Sequence, residues 1–122
     1  MDNKIFKEEF KGRIYKFILK LIKFFETLSK DDSLCRVAND QLIRSSTSLG
    51  ANYIESLAAS SRKDFTNFLS YSLKSANESK FWLAILRDTK KGNKKEIDDL
   101  LKELIEIANI LGASILTLKG KR

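Results

Sequence analysis

Residues 41–55 read QLIRSSTSLGANYIE, and residues 63–82 read KDFTNFLSYSLKSANESKFW. In the first segment, polar or small side chains recur at alternating steps of four and three residues: Gln41, Ser45, Ser48, Asn52 and Glu55. These steps place them on one face of a helix, which we call the polar seam together with the neighbouring Arg44. A row of polar groups on a helix that packs against another must find hydrogen-bond partners there.

The second segment repeats the same alternation on the following helix, with Phe65, Phe68, Ser72, Ser75, Ser79 and Trp82. Small residues on two facing seams allow helix backbones to approach closely. We therefore expect a structural seam that fixes register, with Asn52 and Glu55 largely buried and paired across to the next helix, and Arg44 as a further partner. The alternative is a ligand or metal site formed by Asn52, Glu55 and Glu78. Two carboxylates without histidine rarely hold a transition metal tightly, so no metal site is predicted.

A family resemblance rests on the pattern Gln41-x-x-Arg44-Ser45-Ser46-x-Ser48-x-x-x-Asn52-x-x-Glu55, then Ser61-x-Lys63-Asp64-Phe65-x-x-Phe68-Leu69, then Glu78. It resembles the small four-helix-bundle proteins encoded by intervening sequences within bacterial 23S ribosomal RNA genes. It is also similar to the accessory protein of diversity-generating retroelements, which assembles as a homopentamer. The resemblance implies a helical bundle in a homo-oligomer, with a pentamer favoured, and a partner such as a reverse transcriptase. One position departs from the family, which commonly has Gly where Ser56 follows Glu55.

The composition indicates one domain, residues 1–122, and excludes most catalytic chemistry. The chain has no Pro and five Gly, so no segment reads as a linker. Cys35 is the single cysteine, which precludes an internal disulfide and favours a reducing cytoplasm. Histidine is absent, which removes the usual general base and the commonest metal ligand. We expect no enzyme activity and no cofactor; a carboxylate-based enzyme would need a divalent metal that nothing in the sequence suggests.

Four segments with helical periodicity are predicted, at about residues 4–28, 34–59, 62–88 and 94–118. The first carries an unbroken apolar face: Phe10, Ile14, Phe17, Leu21, Phe24 and Leu28. Candidate N-caps are Asp32 or Ser33, then Ser61, then Asn93. The four helical segments predict an all-α fold class. Because the connections between them are short, we expect an antiparallel up-down-up-down four-helix bundle. Lysines interrupt the first helix every three or four residues, which argues against a signal peptide or membrane span, and its apolar face is needed for the core rather than for a membrane surface.

Additional apolar residues outside the heptad positions widen the apolar faces of the first and fourth helices. These are Ile18, Ile22 and Phe25 in the first helix and Leu100, Ile107 and Ile110 in the fourth. The surplus predicts contacts between subunits.

Basic residues suggest a polyanionic partner. The formal net charge is +7, from 23 basic and 16 acidic residues. The candidate nucleic-acid-binding residues are Arg13, Lys16, Lys20 and Lys23 on the first helix, with Arg62, Lys63, Lys119, Lys121 and Arg122. The topology should gather the latter five with Lys4 and Lys7 at one end. Base stacking is not expected, since most Phe residues occupy core positions. The alternative is a structural or protein-interaction bundle whose lysines serve solubility alone.

Overall fold

Four helices make up the protein in a computed structural model that describes residues 3–120. They are α1 (Asn3–Phe25), α2 (Ser33–Leu57), α3 (Arg62–Asp88) and α4 (Lys94–Leu118). Between residues 3 and 120 the structure contains no strand, which confirms the all-α prediction. Over the same range, no helix combines the length and the apolarity that crossing a membrane requires.

Helix α1 ends earlier than its periodicity predicts. The backbone N–H groups of Glu26, Thr27 and Leu28 each donate to the carbonyl three residues back, so the chain tightens into turns after Phe25. Leu28 is nevertheless buried, with 4% of its surface exposed. The apolar pattern therefore runs past the helix, and the predicted end at residue 28 was wrong by about one turn.

Side-chain caps begin the other three helices. Asp32 Oδ1 accepts from the Cys35 N–H at 2.9 Å, and Ser61 Oγ accepts from the Asp64 N–H at 3.1 Å. Asn93 Oδ1 accepts from the Glu96 N–H at 3.0 Å. These bonds satisfy backbone donors that have no partner within the first helical turn. The predicted caps are confirmed, with Asp32 rather than Ser33 beginning α2.

Contacts between the helices give an antiparallel order around the bundle. Ser45 contacts Ser79 while Ser48 contacts Ser75, so α2 and α3 run in opposite directions. Near the start of α1, Phe10 packs on Tyr53 late in α2, and Arg62 at the start of α3 bonds the Leu118 carbonyl at the end of α4. At the other end, Gly92 before α4 lies against Phe24 late in α1. Among the described residues, the backbone of each helix comes close to those of its two neighbours and not to that of the diagonal helix.

Many of the additional apolar residues of α1 and α4, which the sequence predicted to lie outside the core, are buried in it. Leu100, Ile107 and Phe25 are buried, because α4 and α1 each cover two neighbours and need a wide apolar arc. On α1 the surplus that stays exposed is Ile22, joined by Tyr15 and Leu19. The prediction of unused apolar area was therefore wrong for Leu100 and Ile107.

Gly50 of α2 leaves room for the Ile18 side chain of α1. A Cβ at this position would lie 2.9 Å from Ile18 Cδ1. A glycine within a helix costs about 1 kcal/mol of stability relative to alanine. Its presence here is explained by the lack of space for a larger side chain.

An ion pair joins the two loops at one end of the bundle. Lys91 Nζ donates to Asp32 Oδ2 at 2.6 Å, so the α3–α4 loop is tied to the cap of α2. The pKa of the Asp32 carboxyl is lowered from 3.8 to about 2, mainly by the hydrogen bond from Lys91 and secondly by the hydrogen bond from the Cys35 N–H.

Acid should weaken this tie in a defined pH window. Because the folded-state pKa of Asp32 lies below its unfolded value, the stabilisation is present above about pH 4 and is lost as the pH falls towards about 2. In Asp32→Asn the cap acceptor remains but the charge does not, so the melting temperature should fall less steeply across this window than in the wild type. Circular dichroism melts at several pH values measure it, with Asp31→Asn as the neighbouring control. Equal acid sensitivity of wild type and Asp32→Asn would contradict the assignment.

Candidate functional site

The seam between α2 and α3 is a chain of serine hydroxyls. Ser45 Oγ and Ser79 Oγ lie 2.7 Å apart, and Ser75 Oγ donates to Ser48 Oγ at 3.0 Å. Ser72 Oγ donates to the Leu49 carbonyl at 2.8 Å. Ser45, Ser72 and Ser79 are each at most 1% exposed. The serine part of the predicted seam is therefore confirmed. Its short side chains let the two helices pack closely and form hydrogen bonds between them.

The seam does not extend to Glu55 and Arg44, which are exposed, and Gln41 is only half-buried. Asn52 is half-buried and donates to the carbonyl and the hydroxyl of Ser48, within its own helix. The expectation that Asn52 and Glu55 are buried and paired with another helix is thus wrong. An α-helix drifts by about 20° per heptad against a strict seven-residue repeat, which carries the end of the row outward.

Two buried serines lie outside the row that the sequence analysis chose. Ser46 is fully buried, and Ser56 is 1% exposed with its Oγ donating to the Tyr53 carbonyl at 2.6 Å. Ser56 occupies the position where the resembling family commonly has Gly. Its burial shows that a small residue is needed there, and its hydroxyl is satisfied within α2.

The structure does not bring together the residues of the alternative ligand site. Glu78 is adjacent to Ser79, which lies at the level of Ser45, whereas Glu55 is ten residues further along α2. Ten helical residues correspond to about 15 Å, and both carboxylates are exposed. Nowhere in residues 3–120 does the structure place three or more Cys, Asp or Glu side chains where they could hold a metal ion.

A basic end is formed where the start of α1, the α2–α3 turn and the end of α4 meet. We define it by Lys4, Lys7, Arg62, Lys63 and Lys119. Arg62 Nη2 donates to the Leu118 carbonyl at 3.0 Å, and Lys7 Nζ lies 4.9 Å from the centroid of the Phe65 ring. Lys63 and Lys119 are exposed. The predicted members Lys121 and Arg122 lie outside the described residues.

Tyr53 fixes the position of Lys7. Its hydroxyl donates to the Lys7 carbonyl at 3.3 Å, and its ring packs edge-on against Phe10 at 5.0 Å between centroids. Burial, with a smaller contribution from Glu8, raises the pKa of the Tyr53 phenol to about 12. The phenol therefore remains a hydrogen-bond donor at neutral pH.

The basic flank of α1 faces acidic residues of α4. Arg13 donates from Nε and Nη2 to the two carboxylate oxygens of Glu103, both at 2.7 Å, and also pairs with Glu106. The hydrogen bonds to Glu103 raise the pKa of Arg13 above its ordinary value, and those from Arg13 lower the pKa of Glu103. Arg13 is therefore a link between α1 and α4, and its predicted contact with phosphate stays a prediction.

The remaining residues of that flank are Lys16, Lys20 and Lys23, which are exposed. Lys20 lowers the pKa of Glu103 through its charge, and Lys20 and Lys23 border the same groove as Glu96. The structure thus places Lys20 and Lys23 beside carboxylates rather than in an uninterrupted basic patch.

The opposite end of the bundle also carries many cations, but carboxylates pair with them. Besides Lys91 with Asp32, the pairs are Arg87 with Asp88 at 2.8 Å, Lys94 with Asp98 at 2.6 Å and Lys95 with Asp99 at 3.3 Å. The sequence analysis did not single out these lysines, although the two four-residue spacings signal such pairs. Arg36 at the same end donates to the Lys30 carbonyl at 3.1 Å, so the carboxylates pair with several of its cations and not with all of them.

The comparisons place this fold and seam in a known family. The model of the 23S rRNA-intervening sequence proteins matches residues 8–113. The chain belongs to this family. A similar solved structure is that of a protein with unknown function from the S23 ribosomal protein family, from Bacteroides thetaiotaomicron VPI-5482. It is 30% identical, has a TM-score of 0.77, and the match covers 87% of this chain and 97% of that chain. No curated protein matches the chain.

Membership of the 23S rRNA-intervening sequence family confirms the resemblance drawn from residues 41–78, since the whole pattern lies within the matched range. It also covers the serine seam and the Arg13 link, but of the basic end only Arg62 and Lys63, since Lys4 and Lys7 precede the matched range. Lys119 follows the last matched residue. The family assignment thus supports the bundle and its seam without naming a ligand.

Removing one hydroxyl of the seam should destabilise the bundle. Ser79→Ala leaves the buried Ser45 hydroxyl without its partner on α3, which typically costs about 1–3 kcal/mol. In the double variant Ser45→Ala, Ser79→Ala, both partners are gone, so the loss should be smaller than the sum of the two single losses. Urea unfolding followed by circular dichroism measures all three.

Ser70→Ala is the matched control, because Ser70 on α3 bonds only the Thr66 carbonyl of its own helix among its described contacts. Its unfolding free energy should stay close to that of the wild type. Strict additivity of the two seam substitutions would show that Ser45 and Ser79 do not interact.

Proposed function

We propose that the protein is a non-enzymatic, cytoplasmic, oligomeric bundle that binds nucleic acid, or a protein that handles nucleic acid, through its basic end. The observation that carries this is the convergence of cations from three separate segments of the chain. Two of them, Arg62 and Lys7, contact a carbonyl and an aromatic ring, groups that carry no net charge. A local excess of cations over carboxylates is what a polyanion recognises.

The contrast with the opposite end supports this choice of surface. There, Lys91, Lys94 and Lys95 each have a carboxylate partner within 3.3 Å. A phosphate approaching that end would have to compete with those carboxylates. At the basic end, the neighbouring acidic groups among the described residues include Glu8, Glu55 and Asp64, which are exposed and fewer than the cations.

Binding of this kind depends on the phosphate backbone. Each Lys or Arg that neutralises a phosphate releases a condensed counterion, so the affinity is sequence-independent and falls steeply with salt. Lys16, Lys20 and Lys23 extend the surface along α1, although neighbouring glutamates weaken their contribution. One subunit offers few phosphate-binding side chains, and several linked subunits would multiply them as avidity.

We further propose a homo-oligomer, and the pentamer implied by the resemblance. The proposal is supported by an apolar strip on α1 and α2 that is exposed to solvent in a single subunit. The strip consists of Tyr15, Leu19 and Ile22 on α1 with Ile43 and Ile54 on α2, which are between 41% and 63% exposed. It borders a groove of about 580 Å³ floored by Gly12, Gly50 and Ala51. Contiguous exposed apolar surface is typical of interaction sites.

The second candidate is a structural or protein-interaction bundle with no nucleic-acid role. The observation that favours it is the same apolar strip, together with lysines that already pair with carboxylates at the opposite end. The two candidates differ in one cheap measurement, namely salt-sensitive retention of RNA or DNA.

Charge reversal at the basic end should reduce nucleic-acid binding. With Lys63→Glu and Lys119→Glu combined, the slope of log affinity against log salt should fall by about 0.7 for each single-strand phosphate that the protein no longer neutralises. Fluorescence anisotropy with a labelled strand at several salt concentrations measures this. The control is Lys74→Glu with Lys102→Glu, an equal charge change at exposed sites on α3 and α4.

A third variant, Lys16→Glu with Lys23→Glu, tests the α1 flank separately. If only this variant loses affinity, the flank and not the basic end is the site. If the wild type retains neither RNA nor DNA at about 50 mM salt, where the attraction to phosphates is strongest, the nucleic-acid proposal fails.

The oligomer should depend on the apolar strip. Leu19→Glu places a charge on a residue that is 46% exposed, so helicity should persist while subunits separate. Light scattering coupled to gel filtration should give several times 14.0 kDa for the wild type and about one subunit mass for the variant. The matched control is Ile105→Glu on α4, where the exposed fraction is 45%. A wild type that is monomeric at micromolar concentration would contradict the proposal.

A further inference from the structure

A cavity of about 630 Å³ opens at the basic end, within the usual size range of small-molecule sites. Its apolar wall residues include Phe6, Phe10, Phe65, Leu69, Leu111 and Leu118 from α1, α3 and α4, and polar groups are added by Tyr53 and Ser56 of α2 and by Ser61, Ser114 and Thr117. Lys7 and Arg62 line it as well. The cavity therefore combines an apolar, aromatic interior with two cations.

Phe6 forms a flat surface within this cavity. The Phe6 and Phe10 rings are nearly parallel, with an interplanar angle of 18° and centroids 6.0 Å apart. Phe10 is buried behind it, whereas Phe6 is 37% exposed. An exposed ring backed by a second, nearly parallel one offers its outer face to another flat aromatic group. The sequence analysis assigned most Phe residues to the core and so did not expect such a surface.

The cations make an uncharged aromatic ligand a poor fit. Lys7 Nζ lies over the Phe65 ring at 4.9 Å, and Arg62 is held by the Leu118 carbonyl, so both charges persist beside the apolar walls. The matching ligand carries a flat ring and an anionic group a short distance apart. A nucleotide meets both conditions.

We propose that this cavity holds an unpaired base of a single-stranded nucleic acid, stacked on Phe6, with the adjoining phosphate bound by Lys7 and Arg62. The inference rests on the proposed function and deepens it by naming single strands as the preferred form. A base within a duplex is stacked and paired, and entering the cavity would require its extrusion at a cost in free energy. Stacking on an aromatic side chain tolerates any base, which agrees with binding that does not read sequence.

The test compares a labelled single strand with a duplex that carries the same number of phosphates, by fluorescence anisotropy at one salt concentration. The wild type should bind the single strand more tightly. Phe6→Leu keeps an apolar side chain but removes the ring, and should weaken single-strand binding by about tenfold, while duplex binding stays unchanged. Phe6→Trp should retain the single-strand preference.

The matched control is Phe81→Leu, since Phe81 is an aromatic residue on α3 that is 58% exposed and does not line the cavity. It should bind both forms as the wild type does. Circular dichroism melts of all variants show whether the bundle is folded, and the Phe6→Trp variant keeps the test decisive if Phe6→Leu is unstable.

The outcomes separate this inference from the proposed function. Equal binding of strand and duplex by wild type and Phe6→Leu would overturn the stacking site and leave phosphate-based binding intact. No binding of either form would overturn both. If a long-chain carboxylate raises the melting temperature of the wild type but not of Phe6→Leu, and strand binding does not depend on Phe6, the cavity takes amphipathic anions and the inference is overturned.

Discussion

The hydrogen-bonded serine contact between α2 and α3 is the constraint on which the rest of the bundle depends. Hydroxyls such as Ser45 and Ser79 are buried, and a buried polar group without a partner is costly, so a shift in register between the helices would break several bonds at once. This register sets where the α2–α3 turn falls relative to the start of α1 and the end of α4. The basic end and its cavity therefore exist because the seam holds the turn at that level.

Helix α1 is attached by different means, and these decide which cations remain for binding. Its apolar face packs into the core, Gly50 lets it approach α2, and Arg13 links it to α4. The planar guanidinium matches both oxygens of Glu103, a geometry that a lysine could not reproduce. From the sequence, Arg13 looks like part of a phosphate-binding flank, but in the structure it holds α1 against α4. Lys7, whose backbone carbonyl accepts a hydrogen bond from Tyr53, keeps its charge available.

The sequence predicted the elements well and the side-chain environments less well, for physical reasons. Four apolar heptads and three caps such as Ser61 suffice to specify the helices and their order, because both signals are local. Burial of Glu55 was predicted wrongly because a row that begins at the helix contact drifts away from it over two heptads. The Arg13–Glu103 pair joins residues ninety positions apart, and the sequence has no local signal for it. The cavity beside Phe6 likewise arises from three segments that meet only in the folded chain.

Net charge alone does not identify the binding surface, because pairing decides how much of that charge a ligand experiences. Lys94 and Lys95 are exposed, yet carboxylates one turn away offset much of their field. Arg62 and Lys7 instead contact a carbonyl and an aromatic ring, which carry no net charge and so offset the cations less than a carboxylate does. The apolar walls beside them also lower the local dielectric, which strengthens their attraction for an anion.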